Sequence, residues 1–139
     1  MTIHLLKLSV GSASIETMAR WQARRLAESG YLFHRTRHGP RRVDEVLDGG
    51  SIYWVIQRYV QVRQRIIGIE RTKDPDGKRC CHLILDPKLV RTRPQPRRPH
   101  QGWRYLSPED APPDIGPVIE GEDLPPPEMG AELRALGLI

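Results

Sequence analysis

The sequence predicts an α+β fold in one domain. Residues 1–106 would form a small antiparallel sheet or partial β-barrel with one or two helices, and residues 107–139 an acidic, Pro-rich extension. Three observations carry this. Residues 51–71 alternate aromatic and β-branched side chains with polar ones at a two-residue period. Residues 15–29 show a helical apolar stripe between a capping serine and a glycine. From residue 94 onward that patterning stops, and ten of the 13 prolines lie there.

Taken in order, residues 3–10 read as a strand with His4, Leu6, Leu8 and Val10 on one face, broken by Gly11 and Ser12. The helix at 15–29 has Ser14 as N-cap, Glu16 in its first turn and Gly30 just past its end. Ile15, Met18, Gln22 and Leu26 form its core stripe; Arg20, Arg24 and Glu28 form a solvated one, with Trp21 at the border. Residues 31–42 predict an irregular or extended basic segment. Pro40 then opens a short helix at about 41–48, with Val43, Val46 and Leu47 inward and Gly49-Gly50 as its stop.

Strands follow at 51–57 and 59–71, joined at Gln57-Arg58 by a tight hairpin or a continuous bend. Arg63 and Arg65 leave one face of the second. Asp74-Pro75-Asp76-Gly77 is a turn, with Pro at its second position and Gly supplying a positive φ. It leads to a third strand at 79–86, with Cys81, Leu83 and Leu85 on one side and Cys80, His82 and Ile84 on the other. Prolines 94, 96 and 99 interleave with arginines, so 91–99 should run extended over the surface. Residues 101–106 hold the aromatic pair Trp103 and Tyr105 and should pair as a last strand. Residues 107–127 should lack regular structure, and 128–137 should form a short terminal helix.

The formal net charge of +5 hides a division. Residues 1–107 hold 21 Lys/Arg against 9 Asp/Glu, a net +12, whereas 108–139 hold one Arg against 8 acids, a net −7. Of the 22 basic residues 18 are Arg, whose planar fork fits phosphate and stacks on bases. A genome rich in G and C would also favour Arg over Lys, but it would not gather the acids at one end.

No apolar run approaches the ~18 residues of a membrane-spanning helix, and Met1 to Lys7 do not read as a secretory leader. The two adjacent cysteines build no disulfide framework, which points to a reducing, cytoplasmic setting.

The constellation with most chemistry is basic and aromatic. Arg35, Arg37, Arg41, Arg42, Arg63, Arg65, Arg91, Arg93, Arg97, Arg98 and Arg104 surround Trp103, Tyr105, Tyr53 and Tyr59. Guanidinium groups neutralise phosphates while aromatic faces take unstacked bases, the combination single-stranded RNA or DNA requires. The residues expected to make contact are Arg63, Arg65, Arg97, Arg98 and Arg104 on phosphate, and Trp103 or Tyr105 on a base.

Other chemistries have weaker support. Cys80 and Cys81 point to opposite faces of a strand, and His34-x-x-x-His38 has helical ligand spacing but no CxxC beside it, so no metal or other cofactor is expected. No nucleophile elbow appears, and Gly49-Gly50 lacks the Lys-Ser/Thr of a phosphate loop. An enzyme acting on a small nucleotide-like substrate ranks third. Second stands a protein-interaction module that docks through 91–99.

These segments together resemble domain-of-unknown-function family 1489, a family of small bacterial proteins. The residues that carry the resemblance are Met1–Gly11 with its His-Leu-Leu-Lys-Leu start, Trp21-Gln22-Ala23-Arg24-Arg25, Asp48–Ile56, Val62–Ile66, Leu85-Asp86-Pro87, Pro96–Pro99, Gln101–Leu106 and Pro108–Asp114. The resemblance implies no particular activity. The sequence departs from the family pattern at Gln57-Arg58-Tyr59, where a Lys-Gly-type turn is expected. At the level of fold, the order of helix, Gly-led strand, Arg-bearing strand and antiparallel partner is similar to PUA-like and ASCH-like barrels. That likeness implies an RNA- or base-binding cleft, by analogy alone.

Overall fold

The structure, a computed structural model, describes residues 1–118. Seven strands and two helices follow the order β1 (His4–Leu8), α1 (Ile15–Ser29), β2 (Leu32–Thr36), α2 (Val43–Leu47), β3 (Ser51–Ile56), β4 (Tyr59–Lys73), β5 (Arg79–Pro96), β6 (Trp103–Leu106) and β7 (Asp114–Pro117). All strands join one sheet in the order β2-β5-β4-β3-β1-β6, with β7 on β5 beyond the end of β2. The architecture is α+β, as expected. The sheet is mixed rather than antiparallel, because β1 runs parallel to β3, with Leu5 opposite Ile52 and Lys7 opposite Trp54.

Helix α1 has the bounds its residues predict. Ser14 Oγ accepts the Thr17 N–H at 3.1 Å, which stabilises the first turn by about 1 kcal/mol. Gly30, at φ 78°, donates its N–H to Leu26 O. Ile15, Met18 and Gln22 are its buried face. In α2 the inward residue is Val46; Leu47, expected inward, is exposed. Gly50 follows because it alone fits. A Cβ there would stand 2.3 Å from both Ile3 O and Val46 O.

Gln57 and Arg58 form a two-residue hairpin, both at positive φ (53° and 71°). This is the backbone a tight hairpin needs, built without the glycine that usually supplies it. The Asp74–Gly77 turn forms as predicted, with Asp74 Oδ1 accepting the N–H groups of Asp76 and Lys78.

Three segments differ from expectation. Residues 32–36 are a strand pairing with Cys81–Leu85. The strand expected at 79–86 runs on to Pro96, so residues 91–96 pair with β4 and β7 instead of lying free on the surface. Pro87 and Pro94 are tolerated because each sits where two β4 steps oppose four β5 steps, a bulge that needs no ladder donor from it. Within 107–127, expected to lack regular structure, Asp114–Pro117 forms β7 on β5, so β6 is not the last strand. The predicted helix at 128–137 lies outside the described residues.

One face of the sheet holds the main core: Leu5, Ile52, Trp54, Ile56, Val62, Ile66, Leu83 and Leu85, sealed by Ile15 and Met18 of α1 and Val46 of α2. The two ends of the strand order meet around it, since Trp103 of β6 donates its indole N–H to His38 O just beyond β2. The opposite face carries a smaller cluster of Leu6, Tyr53, Val55, Val60 and Leu106, with Ala111 packed on it.

Candidate functional site

The structure sorts the seven residues expected to contact nucleic acid into three places. Arg63, Arg65 and Arg104 occupy the outer sheet face: Arg63 lies opposite Tyr53, Tyr53 opposite Leu6, and Leu6 opposite Arg104. Arg63 is engaged there, its guanidinium gripping the Asp114 carboxylate through two 2.7 Å hydrogen bonds and donating to Ser51 Oγ. Arg97 and Arg98 stand at the opposite end, beside the Gln57-Arg58 hairpin, where the Arg97 N–H bonds Arg58 O. Trp103 and Tyr105 face neither set. Their rings meet edge-to-face at 4.9 Å against the segment after β2.

That segment borders a strongly cationic cleft. Arg37, His38, Gly39 and Arg41, the end of β4 (Arg71, Thr72, Lys73) and the start of β5 (Arg79, Cys80, Cys81) enclose an open cleft of about 790 Å³. The cleft is built rather than incidental. Arg71 Nη2 donates to Pro40 O at 3.1 Å, and Tyr105 Oη accepts the N–H groups of Arg41 and Arg42. Arg42 also lies over the Tyr105 ring at 5.4 Å and pairs with Glu45. Gly39 packs so closely that a Cβ would come within 2.8 Å of Cys81 Sγ. Trp103 and Tyr105 therefore hold one wall in place, and Tyr105 already carries a cation on its ring.

The electrostatics are one-sided. Five cations line the cleft: Arg37, Arg41, Arg71, Lys73 and Arg79. Among the described residues the carboxylate hydrogen-bonded to this set is Asp74, which binds Arg37 at 3.2 Å. The Lys78 N–H, then Arg37, hold that carboxyl below its usual range. Lys73 and Arg79 lie directly opposite one another across the hairpin, where like charges repel. Burial pushes the Cys81 thiol up, so it stays protonated and acts as core.

The histidines do not converge. His34 turns toward Trp54, while His82 stacks on Phe33 at 4.2 Å. Among the described residues no three His, Cys, Asp or Glu side chains form a group that could hold a metal ion.

Arg71, Lys73 and Arg79 are absent from the residues the sequence singles out. Their signal is the Asp-Pro-Asp-Gly turn itself, with Lys73 before it and Arg79 after it, which sets two cations side by side once the hairpin is recognised.

Fold and cleft thus define a small α+β protein with a mixed, closed-up sheet and a strongly cationic cleft at one end of its longest hairpin. The family model described as protein of unknown function (DUF1489) matches residues 5–139, and the chain belongs to that family. No curated protein and no solved structure matches the chain significantly. Among the described residues no helix is long and apolar enough to cross a membrane.

Proposed function

We propose that this protein is a cytoplasmic nucleic-acid-binding accessory protein, with RNA as its ligand, and that the backbone phosphates enter the cleft between residues 37–41 and the β4–β5 hairpin. The observation that carries this is the juxtaposition of five cations around one open cleft, two of them directly opposite in register. A polyanion relieves that repulsion and releases counterions on binding. Short, irregular single-stranded RNA suits a compact cleft better than a continuous duplex does, and Trp103 or Tyr105 nearby would take an unstacked base. The likeness to PUA-like and ASCH-like barrels expected from the sequence points the same way by analogy alone, since such domains carry RNA- or base-binding clefts. Arg65 and Arg104 on the outer sheet face and Arg98 at the far hairpin end are exposed; they add to the overall positive field and steer association. A protein-docking role for 91–99 has less to rest on, because 91–96 are committed to β5.

The test is a fluorescence-anisotropy titration of the full chain against labelled single-stranded RNA, duplex RNA and DNA over a salt series. Binding should be tightest to single-stranded RNA and weaken steeply with salt. Lys73→Ala with Arg79→Ala should lower affinity for every sequence and flatten the log–log salt slope by roughly 0.7 per lost phosphate contact. An unchanged slope would remove the cleft from the interface. Loss on Arg97→Ala with Arg98→Ala instead would move the interface to the hairpin end.

A further inference from the structure

A second concavity lies on the other side of the barrel-like core, where α1 crosses the inner ends of β1, β2 and β3. It encloses about 290 Å³ and is walled by Met18, Trp21, Phe33 and Trp54, with Lys7 and His34 among several polar lining residues. This is just under the ~300 Å³ at which ligand pockets usually begin, so its occupant is small.

Three features ask for a ligand. The first is Lys7. It is half-buried on the core side of β1, with Trp54 opposite it on β3 and Trp103 opposite it on β6. Among the described residues no carboxylate pairs with it. A half-buried ammonium has lost part of its hydration, and an anion placed against it offsets that loss.

The second is His34, which packs edge-on to Trp54 at 5.0 Å. Its Nε2 is buried and has no hydrogen-bond partner among the described residues. Burial, with the charges of Lys7 and Arg25, lowers its pKa to about 4, so the ring is neutral near pH 7. A neutral imidazole nitrogen offers one hydrogen bond, as donor or acceptor by tautomer.

The third is the rim. Val10 and Trp21 are apolar yet 81% and 52% exposed. Arg25 sits 4.7 Å from the centroids of both the Trp21 and Phe33 rings, which places a second cation against two of the pocket's walls. Aromatic walls, an unmatched ammonium and one free nitrogen select a flat ring bearing a negative group.

We propose that this pocket binds a small organic anion built on a flat ring, its charged group on the Lys7 ammonium and a heteroatom hydrogen-bonded to His34 Nε2. The ring lies against Trp54 and Trp21. Two sources share this chemistry, a nucleotide and an aromatic carboxylic acid. The site is separate from the cationic cleft and does not depend on the nucleic-acid reading.

The experiment is a titration of the full chain at neutral pH, followed by tryptophan fluorescence and calorimetry. The probes are a purine and a pyrimidine nucleoside 5′-monophosphate, the parent nucleosides, benzoate and inorganic phosphate. A ring-bearing anion should saturate the protein and change its fluorescence, while the neutral nucleosides and inorganic phosphate bind at least tenfold more weakly. Preference for the monophosphates over benzoate assigns a nucleotide; the reverse assigns an aromatic acid.

Lys7→Met keeps the side-chain stem and should weaken the bound probe at least tenfold, with a thermal midpoint no lower than that of the parent protein. His34→Phe should weaken it as well, and Lys73→Ala with Arg79→Ala should leave it unchanged. Failure of every ring-bearing anion to saturate, or full affinity in Lys7→Met, would overturn the proposal. Should Lys7→Met not fold, the His34→Phe result and the nucleoside comparison decide it.

Discussion

The side-chain amides of Gln22 on α1 and Gln64 on β4 pair face to face, Gln22 Nε2 donating to Gln64 Oε1 at 3.0 Å and Gln64 Nε2 returning to Gln22 Oε1 at 2.7 Å. Gln64 is fully buried, and its remaining capacity is used by Trp54 Nε1–H and Asp86 O. The pair pins the helix to the sheet with every polar atom satisfied. Gln64→Leu leaves the Gln22 amide and the Trp54 indole N–H unpartnered, so it should cost about 2–4 kcal/mol in urea unfolding. Replacing both glutamines by leucine should cost less than the two single changes summed.

Two adjacent glycines should respond oppositely in size. Gly49 is at φ +82° with open space around it, so Gly49→Ala pays only the left-handed backbone cost of about 1–2 kcal/mol. Gly50→Ala drives a methyl into two backbone carbonyls, Ile3 O at the entry to β1 and Val46 O within α2, so the backbone itself must shift. Its loss should exceed that of Gly49→Ala, at about 3 kcal/mol or more, and thermal unfolding of the two variants checks the order.

The β3–β4 hairpin holds Gln57 and Arg58 at positive φ without a glycine. Gln57→Asn with Arg58→Gly should therefore stabilise the protein, by about 1 kcal/mol, seen as a higher Tm. The Arg97 N–H to Arg58 O bond is to the backbone and survives the change. An unchanged or lower Tm would mean the turn is not strained.

Arg63 holds the Asp114 carboxyl below its usual range by direct hydrogen bonding. An unfolded aspartate titrates near 3.8, so this ion pair contributes its full stability above that pH and loses it as pH falls through the lower folded value. The Tm gap between the parent protein and Asp114→Asn should be constant at neutral pH and close below pH 3.8. The pair is partly exposed, so the gap should correspond to no more than about 1 kcal/mol.

Local features were legible. Ser14 and Gly30 mark the ends of α1 because capping depends on residues within one turn. Asp74–Gly77 was readable because its side-chain and backbone bonds close within five residues. Strand β2 was harder to read, because Phe33, His34 and Arg35 alternate no clear polarity and gain their order from pairing with β5. Strand β7 offered no signal at all. Asp-Ile-Gly-Pro is a poor strand, and it is held by Arg63 and by the free edge of β5.

Sequence alone determined the α+β class, the helix with both of its caps, the Asp74–Gly77 turn and the basic character of the first 107 residues. Each of these depends on neighbours in the chain or on a sum over it. Tertiary structure decided which charges meet. It set Arg41 beside Tyr105, tied Arg63 to Asp114, and placed Lys7 opposite two tryptophans on the core side of the sheet. Those contacts join residues up to about a hundred positions apart, and their register follows from which strands are adjacent and from bulges at Pro87 and Pro94. A local pattern carries no information about strand order, and a one-residue slip would turn every one of those side chains to the opposite face.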